Sequence, residues 1–170
     1  MNADRADQAL VGGDSARASI ALRDWVEGWE GVRLMPYVDS AGYWTIGVGH
    51  RLQDSDPRVA VTQDECDALL DTDLLYYANG VGRLVIMPLP QYRFDALTAF
   101  AMNKGLGALA GSTLRKRVNG GYFTEAADEF LRWDIATDAR TGAKAPNRGL
   151  AKRCAAERAI FMNADYSLRP

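Results

Sequence analysis

The chain has 170 residues, of which 48% are hydrophobic and 25% are charged. This is the composition of an ordinary globular protein, and a chain of this length buries about 68–70% of its unfolded surface without metal or disulfide support. Twenty Lys and Arg residues against 22 Asp and Glu residues give a formal net charge of −2, so nucleic acid held by overall charge is not an expected partner.

The N-terminal residues 1–14 are polar and show no hydrophobic period, so a flexible tail is predicted there. They lack the apolar stretch of a signal peptide or signal anchor, and no apolar run reaches the roughly 18 residues of a spanning helix. We therefore expect synthesis in the cytoplasm, no stable membrane insertion, and one domain over residues 15–170.

A first helix is predicted to begin near Ser15 or Ser19 and to end at Gly31. One apolar face supports it, made of Leu22, Val26 and Trp29. The β-branched and aromatic residues of segment 43–48, which follow the turn sequence of residues 39–42, predict a small hairpin or sheet.

Thr62 begins the clearest predicted helix, because Thr62 and Glu65 have the spacing of a capping box. An apolar stripe continues from there to Asn79-Gly80, where the helix is predicted to end. Further helices are predicted at about 91–104, 112–119 (N-cap Ser112), 124–133 (N-cap Thr124) and 147–163. Residues 136–146 are predicted to be a polar loop.

Strands near the N-terminus followed by helices predict an α+β fold. A small β lobe is expected at about 31–61. A larger helical lobe is expected at about 80–170 and includes the first helix, and the long helix from Thr62 joins the two. The cleft between such lobes is the default ligand site, and a monomer is expected.

The sequence offers little for a metal site. The two cysteines, Cys66 and Cys154, are far apart, and His50 is the one histidine, so a zinc site of His and Cys is nearly excluded. Neither a metal nor an organic cofactor is expected. The cysteines are interpreted as buried small hydrophobic residues, with a disulfide as the minor alternative.

Two carboxylates flank the start of the predicted sheet. Asp39 follows Glu30 by nine positions, and Thr45 follows Asp39 by six. Hydrolysis of a glycosidic bond needs one carboxyl to donate a proton and another to activate water or attack. Glu30 beside Trp29 has the more apolar setting, which suits the acid. A Glu at a helix end and an Asp in a turn are also common on surfaces, so the spacing alone leaves both interpretations open.

The sequence of this segment is more specific than its spacing. Residues 29–33 (WEGVR), 37–39 (YVD) and 42–50 (GYWTIGVGH) closely resemble the catalytic region of phage lysozymes of the T-even type, the muramidase endolysins of glycoside hydrolase family 24. The family pattern Glu-x8-Asp-x5-Thr falls on Glu30, Asp39 and Thr45. Weaker similarities follow in the family's order at 99–105, 112–114, 130–133 and 149–157. The resemblance covers about residues 20–165.

The resemblance implies a lysozyme-like fold and inverting hydrolysis of the β-1,4 bond between N-acetylmuramic acid and N-acetylglucosamine in peptidoglycan. Glu30 would be the general acid, Asp39 would activate water, and Thr45 would help to hold that water. An inverting pair stands about 6.5–9.5 Å apart. It implies no cofactor or metal, and action on the cell wall, in the periplasm, after release from the host cytoplasm, for which a holin is the candidate partner.

Further residues receive roles through the same resemblance. His50 is expected to form an ion pair with Asp73 on the long helix, and Asn103 to line the cleft and contact acetamido groups. Tyr43 is a candidate sugar contact, with a purely structural role as the alternative. Arg148 resembles a basic residue that approaches the catalytic glutamate, but the alignment can slip by two residues there, so that contact stays open.

Two functions besides the host-lysing hydrolase are kept as alternatives. One is a lysozyme-like module that binds peptidoglycan without cleaving it, and the other is a virion-associated component. The presence of both Glu30 and Asp39 favours the hydrolase.

Overall fold

The computed structural model describes residues 10–11, 17–39, 42–137 and 141–170. The strands are β1 (Leu10–Val11), β2 (Arg33–Val38), β3 (Trp44–Gly47), β4 (His50–Arg51), β5 (Leu89–Pro90), β6 (Ile135–Thr137) and β7 (Lys144–Pro146). The helices are α1 (Ile20–Glu30), α2 (Gln63–Leu84), α3 (Gln91–Lys104), α4 (Leu106–Gly111), α5 (Thr113–Asn119), α6 (Phe123–Phe130) and α7 (Arg148–Asn163), with a short 3-10 helix at Leu131–Trp133.

A three-stranded antiparallel sheet with the order β2-β3-β4 forms the small N-terminal part of the fold. Tyr37 in β2 pairs with Thr45 in β3, and Ile46 in β3 pairs with His50 in β4. The register shifts between Arg33 and Tyr37, which marks a bulge that bends β2. The central strand β3 is the most buried of the three.

Helices α1, α2, α4 and α7 pack against α3, which is buried along most of its length. Phe100 of α3 meets Phe130 and Trp133 edge to face, with ring centroids 5.8 and 5.0 Å apart, a favoured arrangement for aromatic pairs. The 22-residue helix α2 connects the sheet to this helical part. The predicted α+β class, with a small sheet followed by a mainly helical part, is confirmed.

A buried carboxylate ties the start of α1 to the helical part. Asp95 of α3 is fully buried and accepts hydrogen bonds from the Ser19 backbone N (3.1 Å) and Oγ (2.5 Å), from Gln91 Nε2 (2.9 Å) and from the Tyr166 hydroxyl (2.7 Å). Four donors satisfy a carboxylate that would be costly to bury alone. The start of the first helix is therefore tied to the helical part of the fold.

Several predicted helix starts are confirmed by their caps. The Ser19 hydroxyl accepts from the backbone N of Leu22 at 3.1 Å, which selects Ser19 over Ser15 as the start of α1. Thr62 and Glu65 form both bonds of a capping box, at 3.2 and 2.7 Å. The predicted helices at 91–104, 112–119 and 147–163 correspond to α3, α5 and α7.

The predicted end of the long helix at Asn79-Gly80 is wrong, because α2 continues to Leu84. Gly80 lies inside the helix and faces α4. A Cβ atom at this position would come within 2.9 Å of Leu106 Cγ and closer still to its methyl groups. The glycine therefore lets α4 approach α2 closely and is not a stop signal.

Three other local predictions need correction. Within the predicted tail, Leu10–Val11 form β1 and pair with Leu89–Pro90 through their backbones, while the other residues of 1–14 lie outside the described residues. The polar segment 136–146 contributes to the β6–β7 hairpin, because backbone pairing does not require apolar side chains. Helix α6 begins at Phe123 with Tyr122 in the N-cap position, so Thr124 is not the cap.

Both cysteines are buried and unbonded, as interpreted from the sequence, so the disulfide alternative is not realised. Burial raises the pKa of the Cys154 thiol to about 11. No helix in the described ranges combines the length and the apolar character required to cross a bilayer.

Candidate active site

Four residues predicted to act on substrate line one cavity of about 540 Å³. Glu30 is the last residue of α1, Asp39 follows β2, Thr45 lies in β3 and Asn103 lies near the end of α3. The cavity is therefore built from the sheet on one side and the helical part on the other. The two carboxylates of the proposed acid–base pair share this space.

An arginine contacts the carboxyl group of Glu30. Arg153 of α7, which is only 5% exposed, directs Nη1 to Glu30 Oε1, and its Nε donates to Glu157 Oε1 at 3.1 Å. Its guanidinium carbon also lies 5.4 and 5.7 Å from the ring centroids of Trp25 and Trp29. The surroundings of Glu30 are therefore only partly apolar, because the buried cation Arg153 lies beside it in addition to Trp29.

The contact between Arg148 and Glu30, which the sequence left open, is not formed. Arg148 is the first residue of α7 and is exposed, whereas Arg153 makes the contact. Five residues along an α-helix correspond to a rotation of about 140°, so the two side chains leave α7 on different faces. The basic partner expected from the sequence exists, but at another position.

The Glu30 side chain lies close to the backbone of Gly49 between β3 and β4. Gly49 has a φ of +73°, and a Cβ atom there would lie 3.6 Å from Glu30 Cγ and 3.7 Å from its carboxyl carbon. The left-handed backbone conformation favours glycine. The glycine thus lets the β3–β4 connection pass beside the carboxyl group.

The turn after β2 orients Asp39. Asp39 Oδ1 accepts a hydrogen bond from the backbone N of Tyr43 at 2.8 Å, and the backbone N of Asp39 donates to Tyr43 O at 2.9 Å. The nearby Thr45 is 4% exposed and its hydroxyl donates to the same carbonyl at 3.1 Å. The hydroxyl oxygen of Thr45 keeps acceptor capacity for a water molecule.

Tyr37 lines the same cavity as the two carboxylates. Burial raises the pKa of its phenol, and the negative charges of Glu30 and Asp39 add to this, while Arg33 opposes it. Tyr37 therefore stays a neutral hydroxyl that can donate or accept a hydrogen bond in the cavity.

Asn103 connects this cavity to two neighbouring ones. Together with Glu30 it also lines a space of about 510 Å³ beside α2 and one of about 480 Å³ beside α7. Its side-chain Nδ2 is buried, and a hydrogen bond from this side chain acts on Glu157. The three spaces share Glu30 and Asn103 in their walls and are together called the groove below.

The predicted contact between His50 and Asp73 is present. His50 Nδ1 lies 2.9 Å from Asp73 Oδ2, and both side chains are about three-quarters buried. The hydrogen bond to Asp73 raises the pKa of His50 against the opposing effect of burial. The pair lines the 510 Å³ part of the groove, where it fixes α2 to β4.

Tyr43 does not line any of the three spaces that contain Glu30, as far as the described residues form their walls. Its ring lies under the guanidinium of Arg51, whose central carbon is 3.2 Å from the ring centroid. This position favours the structural alternative for Tyr43.

No group of three or more His, Cys, Asp or Glu side chains in the described part of the chain could hold a metal ion. The groups that line the groove are carboxyl groups, hydroxyls, an amide, an imidazole and guanidinium groups.

Sequence reasoning missed Arg153, Glu157 and Gly49 as parts of this site. A signal for the first two was present, since residues four apart on a helix commonly form an ion pair. What the sequence could not show was that this pair is buried and that it faces the end of α1.

Comparisons with known proteins agree with this geometry. The sequence profile of the phage lysozyme family matches residues 27–157. The chain is 38% identical to the endolysin of Bacillus phage B103 over 142 residues, which are 82% of this chain but 52% of that protein, so it spans about half the length of that relative. It is 38% identical to the SAR-endolysin of Escherichia phage Mu over 132 residues, 78% of this chain and 73% of that protein.

A solved structure shows the same fold. The endolysin from Escherichia coli O157:H7 phage FAHEc1 superposes with a TM-score of 0.83 and 30% identity, covering 92% of this chain and 99% of that one. A match over most of the sequence, relatives above 30% identity and a shared α+β lysozyme fold lead to one conclusion: the chain belongs to the phage lysozyme family.

Proposed function

We propose that the protein is an endolysin that hydrolyses the β-1,4 bond between N-acetylmuramic acid and N-acetylglucosamine in bacterial peptidoglycan by an inverting mechanism. The observation that carries this proposal is the single cavity lined by Glu30, Asp39, Thr45 and Asn103. Family membership and the endolysin names of the relatives support the substrate class.

In this mechanism Glu30 donates its proton to the glycosidic oxygen as the bond to the anomeric carbon breaks. Glu30 suits this role because about one-third of its side chain is exposed to the groove. Its Oε1 contacts Arg153. The leaving sugar takes the proton, and positive charge develops on the other sugar ring. Glu30 is left as a carboxylate beside a cation that stabilises it.

Asp39 acts from the sheet side of the cavity. Its carboxylate takes a proton from a water molecule that attacks the anomeric carbon from the face opposite the leaving oxygen. Thr45 Oγ1 accepts a hydrogen bond from this water, since its own proton is directed to the Tyr43 carbonyl. The product has the inverted configuration because a single displacement occurs.

Asn103 supplies substrate recognition. Its side chain lies in the walls of all three groove spaces, where the amide would contact the acetamido group of an N-acetylated sugar.

The decisive comparison is between Glu30→Gln and Glu27→Gln. Glu27 lies one turn earlier on α1 and pairs with Arg23, so it is a matched control for loss of a carboxylate. We expect Glu30→Gln to lower the rate of hydrolysis of purified peptidoglycan by about 10³-fold or more, as for loss of a general acid, and Glu27→Gln to retain activity. Equal rates would remove Glu30 from its role.

NMR of the first-formed sugar anomer then tests inversion, and retention would reassign Asp39 as a nucleophile. Binding of glycan strands without cleavage by the unmodified protein would favour the non-catalytic alternative. Release to the cell wall with the help of a holin stays a prediction, which lysis of cells expressing the chain with and without a holin would test.

A further inference from the structure

The groove presents an electrostatic problem for a general acid. A carboxyl group that donates a proton must hold that proton before the reaction, yet Arg153 contacts Glu30 and a neighbouring cation favours the ionised form. Arg153 is 5% exposed, so water screens this effect little. Something else must offset the positive charge of Arg153.

Among the described residues, Arg153 also hydrogen-bonds to Glu157 on the same helix. Glu157 is fully buried, and its Oε1 accepts from Arg153 Nε at 3.1 Å. One guanidinium thus stands between an exposed carboxyl group in the groove and a buried one behind it.

We infer that Glu157 is a positioning residue of the active site: its buried charge compensates Arg153 and thereby keeps the proton on Glu30. This rests on the proposed role of Glu30 as the acid. When Glu157 is ionised, Arg153 is shared between two carboxylates, and its pull on Glu30 is weakened. When Glu157 carries no charge, the whole charge of Arg153 acts on Glu30 and drives its proton off.

The surroundings of Glu157 allow its charge to change between neutral pH and mild acid. Burial raises its pKa to about 6, although Arg153 and the half-buried Lys104 act in the opposite direction. The group is therefore mostly ionised at neutral pH and becomes neutral in mild acid. Its compensation of Arg153 would then be stronger at neutral pH than in mild acid.

Other charged or titratable groups lie near each of the two carboxylates. Around Glu157 they are Arg153, Lys104 and Cys154. Those that contact Glu30 or share a cavity wall with it include Arg33, Tyr37, Asp39, His50, Asp73 and Arg153. Within the described ranges, Arg153 is the residue that forms an ion pair with both carboxylates. The link between the two is therefore expected to depend on this residue and not on the groups that act on only one of them.

The substitution Glu157→Gln separates charge from hydrogen bonding. The amide oxygen can still accept from Arg153 Nε, but the negative charge is gone. A matched control is Glu125→Gln on α6, which removes an exposed carboxylate far from the groove. Two quantities are measured in each protein: the dependence of kcat/KM on pH with purified peptidoglycan, and the titration midpoint of Glu30 by NMR of its labelled carboxyl carbon.

In Glu157→Gln we expect the alkaline limb of the pH profile and the Glu30 midpoint to move together to lower pH, by about one pH unit. The rate on the alkaline limb then falls about tenfold, while Glu125→Gln leaves both quantities unchanged. A folded Glu157→Gln protein with the Glu30 midpoint of the unmodified protein would overturn the inference, even if its stability is lower.

A second variant changes the buried residue but keeps its charge. Glu157→Asp retains a negative charge that compensates Arg153, so the Glu30 midpoint should stay close to that of the unmodified protein. A shift in Glu157→Asp equal to that in Glu157→Gln would also overturn the inference. These titrations need no catalysis, so inactivity of the unmodified protein on peptidoglycan would remove the proposed function and leave the coupling measurable.

Discussion

The contact between His50 and Asp73 makes a quantitative prediction about stability. The perturbation is Asp73→Asn, which removes the charge but keeps an oxygen that can accept from His50 Nδ1. Asp73 lies 2.9 Å from that nitrogen, with each side chain about one-quarter exposed. A hydrogen bond to a charged group contributes about 1.5–3 kcal/mol to stability. Since the acceptor remains, we expect a loss of about 1.5 kcal/mol, near the low end of that range.

The sign of the pH dependence follows from the pKa of His50, which its bond to Asp73 raises above the ordinary 6.5. A group whose pKa is higher in the folded state stabilises that state fully below its unfolded pKa. This contribution is lost as the pH rises through the folded pKa of His50. The effect of Asp73→Asn should therefore be complete near pH 5.5 and fall to a few tenths of a kcal/mol near pH 9.

Urea unfolding at both pH values measures this difference, with Asp54→Asn in an exposed loop as the control for loss of a carboxylate. Surface substitutions of that kind usually change stability by less than about 0.5 kcal/mol. A loss from Asp73→Asn that is equal at pH 5.5 and pH 9 would refute the reasoning, because only a contact with a titrating partner predicts convergence. NMR titration of His50 should show a lower pKa in the variant.

Other predictions concern packing, reactivity and capping. Gly80→Ala should lower the free energy of unfolding by about 1 kcal/mol, because the clash with Leu106 outweighs the gain in helix propensity. In Gly107→Ala on α4, where a Cβ atom meets nothing within 4 Å, the free energy of unfolding should rise by about 0.5 kcal/mol. Denaturant unfolding measures both changes, and changes of the same sign would contradict the explanation. Cys154 should resist alkylation at pH 8 in the folded protein, because its pKa of about 11 leaves little thiolate. Mass spectrometry after iodoacetamide treatment measures this, and rapid modification of Cys154 would contradict the prediction. Thr62→Ala should cost about 1 kcal/mol through loss of the helix cap, measured by the same unfolding experiment, and no change would mean that the capping box contributes nothing.

The elements that the sequence predicted well are those whose signals are local. The capping box at Thr62 and the turn residues after Val38 define their own structure within a few positions. Gly80 was misread because a helical glycine that makes room for a neighbour looks the same in sequence as a glycine that ends a helix. Its role depends on Leu106, which is distant along the chain.

In the site, too, features set by local sequence were predicted, and features set by distant contacts were not. Glu30, Asp39 and Thr45 were predicted because their spacing and neighbours match a family pattern, and they line one cavity. Which basic residue contacts Glu30 stayed open, although the start of α7 was predicted to within one residue. Helix register decides which arginine faces inward, and that register is set by the packing of α7 against α3.

The network at Asp95 has a consequence for how the two halves of the site can move. Ser19 and Arg153 fasten both ends of the first helix to the helical body, whereas Asp39 is carried by the sheet. Glu30 and Asp39, the proposed proton donor and water-activating group, are thus carried by different parts of the fold. Under the proposed mechanism, a displacement of the sheet relative to the helical part would change the gap that the attacking water must fill, and with it the rate of hydrolysis.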